Sequence, residues 1–507
     1  MRRRIATLVT GVLWLLAGAV LPADAAEPRR GGTLRAALRA EASTLDPHRG
    51  ASGTDHMYLY PIFDTLVRFD AKMTPQPGLA ASWEVPDPQT LVLKLRPNVK
   101  FHDGTPFDAE AVKFNIERGQ DRKTAAVASE LSKIAAIETP DALTVRLKLS
   151  APDASLLLTF ADRAGMMISP TAARKLGDQF GRNPVGAGEY RFVRWVAGSE
   201  IRYERFADYW EPGRPYLDAV VLKIMSDGDT RVAALRSGQV DFVMEIPPQL
   251  FPVLKGERGL KTHEEISLAY WRLYLNFAKP PLDRKAVREA INYAIDRDTL
   301  VRTVMFGLAQ AAVSPFPSVH WAHDTGLRPY PYDPGRAKAK LAEAGVPNGF
   351  TLDMVVEPAP EHVRRAEILQ AQLGAVGIKL DIKAMELAKG VQSFFRAKSV
   401  MAANYRWTGR PDPDQTVRGM FHSTGFFNPG AYKVPRLEEL LDHAKATYRQ
   451  EERRRLYHQI ARLIQDEALD VPLFYGSSLE AMSASVHGYQ PSLLGKPMFR
   501  GVWIEGK

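Results

Sequence analysis

The stretch FTLDMVVEPAPEHVRRAEILQAQLGAVGIKLDI, Phe350 to Ile382, decides the fold class. Its first seven residues predict a strand, the run from Glu361 a helix, the glycines a break, and IKLDI a second strand. The surrounding text repeats this alternation. LAYWRLYLNF (Leu268 to Phe277) reads as a strand leading into a helix over PPLDRKAVREAINYAIDRDTLV, where Val287, Ile291, Ala294 and Ile295 mark one apolar face and Asp283 is the expected N-cap. YDPGRAKAKLAEAGV begins with Asp333 and Pro334 and stops at Gly345. DTRVAALRSGQVDFV reads as helix, turn and strand, with Gly238 as the stop. Two long helices and the strand DVPLFYG close the final third. Strands alternating with helices indicate an α/β fold.

The first third has a different texture. PIFDTLVRFD, LAASWEV, TLVLKLRPNVKFHDG and ALTVRLKLS are short alternating strands around one helix, FDAEAVKFNIERG, with Asp108 at its N-cap and Glu110 in its first turn. The glycines of NPVGAGEYRFVRW, Gly186 and Gly188, suggest part of a dinucleotide loop. The residues after them alternate as a strand, so no helix start is available to cradle phosphate, and a turn into a hairpin is the better reading. No internal repeat or low-complexity linker separates the parts.

The chain has 507 residues, enough for two or three domains, with a formal net charge of +9. The basic residues are scattered among acids. The densest run, RQEERRRLYHQ, contains Glu451 and Glu452 and reads as a solvated helix face, so a nucleic-acid partner is not expected. There is no cysteine, hence no disulfide, thiol nucleophile, cysteine metal site or lipidated N-terminal Cys. The N-terminus has the tripartite form of an export signal: MRRR, the apolar IATLVTGVLWLLAGAVL, then Ala23 and Ala25 at an A-x-A site. Cleavage after Ala25 would deliver a soluble, unlipidated protein to a periplasm. The rival reading is a membrane anchor, for which the run is barely long enough.

The segments GGTL…TLDPH, FDTLVRFD…PGLAASWEV, LVLKLRPNVKFHDGTPFDAEAV, PVGAGEYRFVRW, PLDRKAVREAINYAIDR, YDPGRAKAKLAEAG and RAEILQAQLGAVGIKL stand in one order. Together they resemble the periplasmic solute-binding proteins of peptide/nickel-type ABC importers, solute-binding family 5, from about Gly31 to the C-terminus. The resemblance implies a hinged, two-lobed periplasmic-binding-protein fold, type II-like, with an extra subdomain on the first lobe. It implies a signal peptide at 1–25, a first lobe from 26–62, 186–275 and 480–507, an extra subdomain at 63–185 and a second lobe at 276–479. The hinge strands would lie near Leu273 to Phe277 and Val471 to Tyr475. The expected partners are a small-molecule or short-peptide ligand and an inner-membrane ABC permease with its ATPase subunits. The protein would act as a monomer, without cofactor.

Residue by residue, the resemblance places Glu41 and Ser43 of AEAST and Phe114 of the first helix in the cleft. It places Arg364, at the start of the RRAEILQ helix, against a ligand carboxylate. NYRWTGRPDPDQ, Asn404 to Gln415, would supply backbone hydrogen bonds from Asn404, Tyr405 and Arg406 and an aromatic wall from Trp407. Peptide binders carry an acidic residue a few positions after that Trp, to pair with a free amine. Here Arg410 stands at that point, and Asp412 follows in the turn. An arginine there favours a carboxylate or other anion. Trp407 can equally be a core residue, and Arg410 a surface group paired with Asp412 or Asp414.

Other chemistry has weaker support in the sequence. FHDG (His102, Asp103) is followed by Gly-Thr-Pro and reads as a turn. The histidines lack metal-ligand spacing, although His422 lies close to the cleft loop, so a nickel chelate stays among the alternatives with opine-like conjugates and oligosaccharides. No catalytic constellation stands out. From other classes, an exported hydrolase would reveal itself by turnover, and a peptide-holding chaperone by affinity for unfolded chains. If the leader reading holds, N-terminal sequencing of the protein from its native host finds Ala26 first in the soluble periplasmic fraction; an intact Met1 in the membrane pellet contradicts it.

Overall fold

The computed structural model describes residues 27–50 and 52–506; the expected leader and its cleavage site lie outside the described residues. An eleven-stranded mixed sheet runs through the molecule. At its centre the strand Leu260–Leu275 pairs antiparallel with Pro472–Ser483. On one side, Phe242–Val243, Thr33–Leu38 and Ala219–Ile224 extend the sheet in parallel, and the hairpin Tyr190–Val196 with Glu200–Arg205 ends it. On the other side, Ala402–Trp407 joins Leu260–Leu275 antiparallel, followed in parallel by Phe350–Val356 and Ile378–Ala384. The strand–helix–strand reading of Phe350 to Ile382 corresponds to Phe350–Val356, the helix Pro360–Gly374 and Ile378–Ala384.

Three apolar cores divide the chain. One draws on residues from Tyr270 to Tyr475, a second on Leu34 to Met244 together with Met482 to Ile504, and a third lies between Leu66 and Ala187. The third fills a four-stranded antiparallel sheet, Ala80–Asp87, Thr90–Leu95, Thr144–Leu149 and Ile134–Asp141, covered by the helix Ala109–Gly119. This is the two-lobed arrangement with a subdomain on the first lobe. Asp108 caps that helix by accepting from the Ala111 amide at 2.9 Å. Asp333 caps Pro334–Glu343 in the same way. The expected cap at Asp283 is not formed: the helix begins at Lys285, and Arg284 takes the N-cap position without a side-chain bond. Gly186 and Gly188 belong to a turn. A Cβ on either would lie 2.2 or 2.6 Å from the Ile62 carbonyl oxygen, so the subdomain can press against the first lobe only with glycine at both positions.

Among the described residues, two strands carry the ladder from lobe to lobe. Ile266 pairs with Ser477 and Tyr270 with Tyr475, leaving Ser267 to Ala269 opposite the single residue Gly476. This interruption lies upstream of the expected Leu273 to Phe277 and just beyond Val471 to Tyr475. The apolar run LAYWRLYLNF begins inside the break and continues past it, and the polar KTHEEIS ends at it, so the change of texture, not the middle of the apolar run, marks the place.

The second lobe buries several arginines. Arg288 donates to the carbonyls of Leu282, Asp283, Glu467 and Ala468, at 2.8–3.1 Å, at the C-terminal end of a helix. Arg272 pairs with Asp470 at 2.8 Å, and Arg453 grips Asp412 through both nitrogens at 2.8 and 2.9 Å. Asp412 has no exposed surface. Arg453→Ala would strand its carboxylate in the core, so it should lower stability by about 3–5 kcal/mol. Urea denaturation checks this through the midpoint; an unchanged midpoint would mean that the pair is solvated.

Candidate ligand-binding site

The lobes face each other along Ala402–Trp407 and the loop after it. Trp407 is buried in the second-lobe core, edge-on to Phe427 at 5.0 Å, with its indole N–H on the Thr416 hydroxyl at 3.2 Å. It backs the site and does not stand free in it. Arg410 is half-buried beyond it. Its guanidinium donates to the Thr408 hydroxyl and the Gly409 carbonyl at 3.0 and 2.9 Å, with its ζ-carbon 5.2 Å from the Trp407 ring centroid. Arg410 does not pair with Asp412 or Asp414. Asp412 caps the helix Pro413–Phe421 and holds Arg453, so it is committed to the fold and not open to a ligand. Asp414 is taken by Arg418 at 3.1 Å and Lys445 at 3.7 Å.

Arg410 instead looks across to the first lobe and its subdomain, where Glu130 and Asp162 favour its charge while burial and Arg163 oppose it. His56 meets Asp162 at 2.9 Å and Lys496 at 2.6 Å; Tyr60 reaches Asp162 at 3.5 Å. Burial drives His56 down to about 3, so it is neutral, and lowers Lys496 to about 8. Burial raises Glu130, whose nearest cation, Arg163, is 3.9 Å away, and one Arg163 nitrogen has no partner among the described residues. Three cations, Arg163, Arg410 and Lys496, thus share this region with two carboxylates, one of which burial pushes toward neutrality.

A second basic group lies at the other end of the strand. The helix Pro360–Gly374 turns His362, Arg365, Ala366, Leu369 and Leu373 inward, which leaves Arg364 exposed to solvent. The guanidinium of Arg365 lies 3.6 Å over Trp271 and donates from Nε to Asn404 Oδ1 at 2.7 Å. Its Nη2 has no partner among the described residues. Burial lowers Arg365 to about 9, against the pull of Glu357 and Glu361. Asn404 fixes the arrangement by donating to the Arg272 carbonyl at 2.9 Å. Tyr405 is buried, its hydroxyl without a hydrogen-bond partner among the described residues, and a Cβ on Gly390 would meet that hydroxyl at 1.9 Å. Arg406 points outward, as strand alternation requires, and reaches Glu245 of the first lobe at 3.5 Å.

The remaining candidates are held by their own lobe. Glu41 accepts from the Trp195 indole at 2.6 Å and from the Gly198 amide at 3.2 Å. Ser43 is exposed, with its amide and hydroxyl both on Asp55. Phe114 packs against the first-lobe core under Arg174. His102 and Asp103 bond the Gly188 carbonyl at 3.0 Å and the Ser169 hydroxyl at 2.5 Å, as turn residues do. No group of three His, Cys, Asp or Glu that could hold a metal ion occurs among the described residues. No helix among them is long and apolar enough to cross a membrane.

Sequence reasoning missed Arg365, Trp271, Glu130, Asp162, Arg163 and Lys496. For Arg365 a signal existed: Ala366, Leu369 and Leu373 define the buried face, and counting back from them selects 365 over 364. The others come together only through the fold.

The comparisons fit this geometry. Residues 74–428 match the family described as bacterial extracellular solute-binding proteins, family 5 Middle. A glutathione-binding protein GsiB of Escherichia coli strain K12 is 31% identical over 476 residues, 89% of this chain and 91% of that protein. A solved Helicobacter pylori periplasmic binding protein, DppA, in complex with the peptide STSA superposes with a TM-score of 0.85 at 28% identity, over 94% of this chain and 99% of that one. The Agrobacterium tumefaciens R10 protein AgaA, solved with agropinic acid, gives 0.83 at 27% identity, over 94% and 99% of the two chains. A shared family model, full-length relatives and the same two-lobed fold place the chain among the bacterial extracellular solute-binding proteins of family 5.

Proposed function

We propose that this protein is the periplasmic receptor of an ABC importer and that it takes up a small, acidic, peptide-like solute between its lobes. The observation that carries the acidic part is Arg365: a buried guanidinium, fixed by Asn404 and Trp271, with an Nη2 that nothing among the described residues meets. A cation held this way in an apolar setting calls for an anion. Arg410, standing where peptide binders place a carboxylate, with Arg163 and Lys496 behind it, gives the same sign at the other end of the strand. The names of the relatives are in keeping: glutathione and agropinic acid are both acidic.

In this reading the first lobe is 26–62, 186–275 and 480–507, the subdomain 63–185 and the second lobe 276–479. The chain reaches the periplasm by cleavage after Ala25, works as a monomer, and hands its solute to the permease and its ATPase subunits. Its mechanism is closure without chemistry. Contacts across the cleft are Glu245 with Arg406 at 3.5 Å, Tyr448 with the Pro88 carbonyl at 2.9 Å, and Lys445 with Asp153 at 3.1 Å. A solute favours the closed form only through contacts that it makes there and nowhere else.

Calorimetry with glutathione and agropinic acid as probes tests the reading. Removing one charge-assisted bond in a desolvated cleft costs about 1.5–3 kcal/mol, roughly ten- to a hundredfold in affinity. Arg365→Ala and Arg410→Ala should each weaken the tighter probe by that factor, while Arg364→Ala and Arg406→Ala do much less. Saturation should also compact the protein in small-angle scattering and raise its melting temperature. Affinity indifferent to both inward arginines, or a native solute without an acidic group, would sink the acidic assignment; a tight solute that leaves the scattering profile unchanged would sink closure.

A further inference from the structure

The first lobe and its subdomain line a cavity of about 960 Å³. No residue of 276–479 lines it, and of the cleft groups described above only Tyr60 reaches its wall. Its volume is at the upper end of what small-molecule sites use. Phe63, Phe69, Tyr216, Met498 and Trp503 make much of its wall, so the cavity offers an apolar body a place to pack.

Charge bookkeeping gives the sign of the head group. Four carboxylates line the cavity. Asp64 takes Arg68 at 3.1 Å, Tyr209 at 2.8 Å and Trp210 at 2.7 Å, and also meets Arg500. Glu189 holds Arg500 at 2.8 Å, and burial pushes Glu189 up toward its neutral form. Glu211 takes Arg68 at 3.3 Å. Asp70 accepts the Lys72 and Thr74 amides at 2.8 and 2.9 Å. Two arginines are left over. Arg96 donates to the Gly78 carbonyl at 2.7 Å and stacks 4.4 Å from the Trp210 ring, with no carboxylate in reach among the described residues. Arg214 has Glu211 only at 4.0 Å, and a Cβ on Gly501 would come within 2.4 Å of its Nη1, so backbone packs directly on it. Both guanidiniums are positioned in advance, which lowers the entropic cost of using them.

We propose that this cavity is a second ligand site, for a small amphipathic organic acid whose apolar body packs on Phe69 and Trp503 and whose anionic head meets Arg96 and Arg214. It does not rest on the identity of the cleft solute. The probe is 8-anilinonaphthalene-1-sulfonate, an aromatic anion whose fluorescence rises in apolar surroundings, titrated into the mature protein. One saturable site is expected. Arg96→Ala should weaken it at least tenfold. Ala71→Trp, a change at an exposed turn on the rim that leaves the core alone, should weaken it comparably by narrowing the mouth. Arg365→Ala, in the cleft, should leave this titration as it was. Loss with Arg365→Ala would return the probe to the cleft and overturn the proposal. So would unsaturable binding, or binding indifferent to both Arg96→Ala and Ala71→Trp.

Discussion

Where Leu260–Leu275 runs beside Pro472–Ser483, Ser267 to Ala269 stand opposite Gly476, and the ladder passes between the lobes only around that gap. The groups freed there are taken up by the first lobe's tail and by each other. The Leu268 amide donates to the Leu493 carbonyl at 2.7 Å, and the Ser267 hydroxyl to the Gly476 carbonyl at 3.0 Å. The cleft loop is stacked on the same point. Gly409 has a φ of +71°, and a Cβ there would lie 2.5 Å from Leu268 Cβ. Glycine is therefore required twice over, by conformation and by space. Arg410 follows directly, so its position is set by the lobe crossing. Any rotation about the crossing moves Arg410 relative to Glu130 and Asp162.

Several arginines buried or half-buried in the second lobe fall into two kinds. Arg272 and Arg453 have carboxylates, and Arg288 and Arg297 have carbonyl oxygens, Arg297 reaching that of Pro472 at 2.7 Å. These hold the second lobe together. Arg365 and Arg410 are oriented as carefully but lack a close carboxylate. Taking a charge out of water costs several kcal/mol unless a partner compensates it. The fold bears that cost at two places, one on the helix Pro360–Gly374 and one in the loop after Ala402–Trp407, with Asn404 and Trp271 placed to keep one of the guanidiniums rigid. Strain of this sort, kept where it does not stabilise the lobe, is characteristic of a binding site.

Much of the architecture was legible because it follows from local rules. Periodicity gave Phe350 to Ile382, caps gave Asp108 and Asp333, and the order of motifs gave the family. The site was legible only in part. Trp407 and Arg410 came from one loop and fall where the lobes meet. Of the basic pair in RRAEILQ, Arg364 is exposed and Arg365 faces inward, a choice that helical phase makes and the motif does not. Asp412 looked available because the sequence does not show Arg453, forty-one positions away, closing on it. Lys496, His56 and Asp162 meet across 440 residues, and no spacing rule connects them. Asp283 failed as a cap because the helix starts one turn position later than its apolar face suggests, with Arg284 in the capping place.

One of the contacts across the cleft is weak. Glu245 reaches Arg406 only at 3.5 Å and sits at a φ of +51°, a conformation that costs a non-glycine residue about 1–3 kcal/mol. Partly exposed pairs of this kind return about 0–1 kcal/mol each. This latch therefore roughly balances its own cost, and the pair of Lys445 with Asp153 at 3.1 Å is left to hold the lobes. Moving an equilibrium of open and closed forms from parity to mostly closed takes about 2.7 kcal/mol of differential binding, half of what a start at mostly open would need. One charge-assisted bond at about 1.5–3 kcal/mol comes close to that amount, and two, made when both Arg365 and Arg410 engage one solute, exceed it. A solute that meets a single arginine therefore closes most of the molecules, and one long enough to span both closes them more completely.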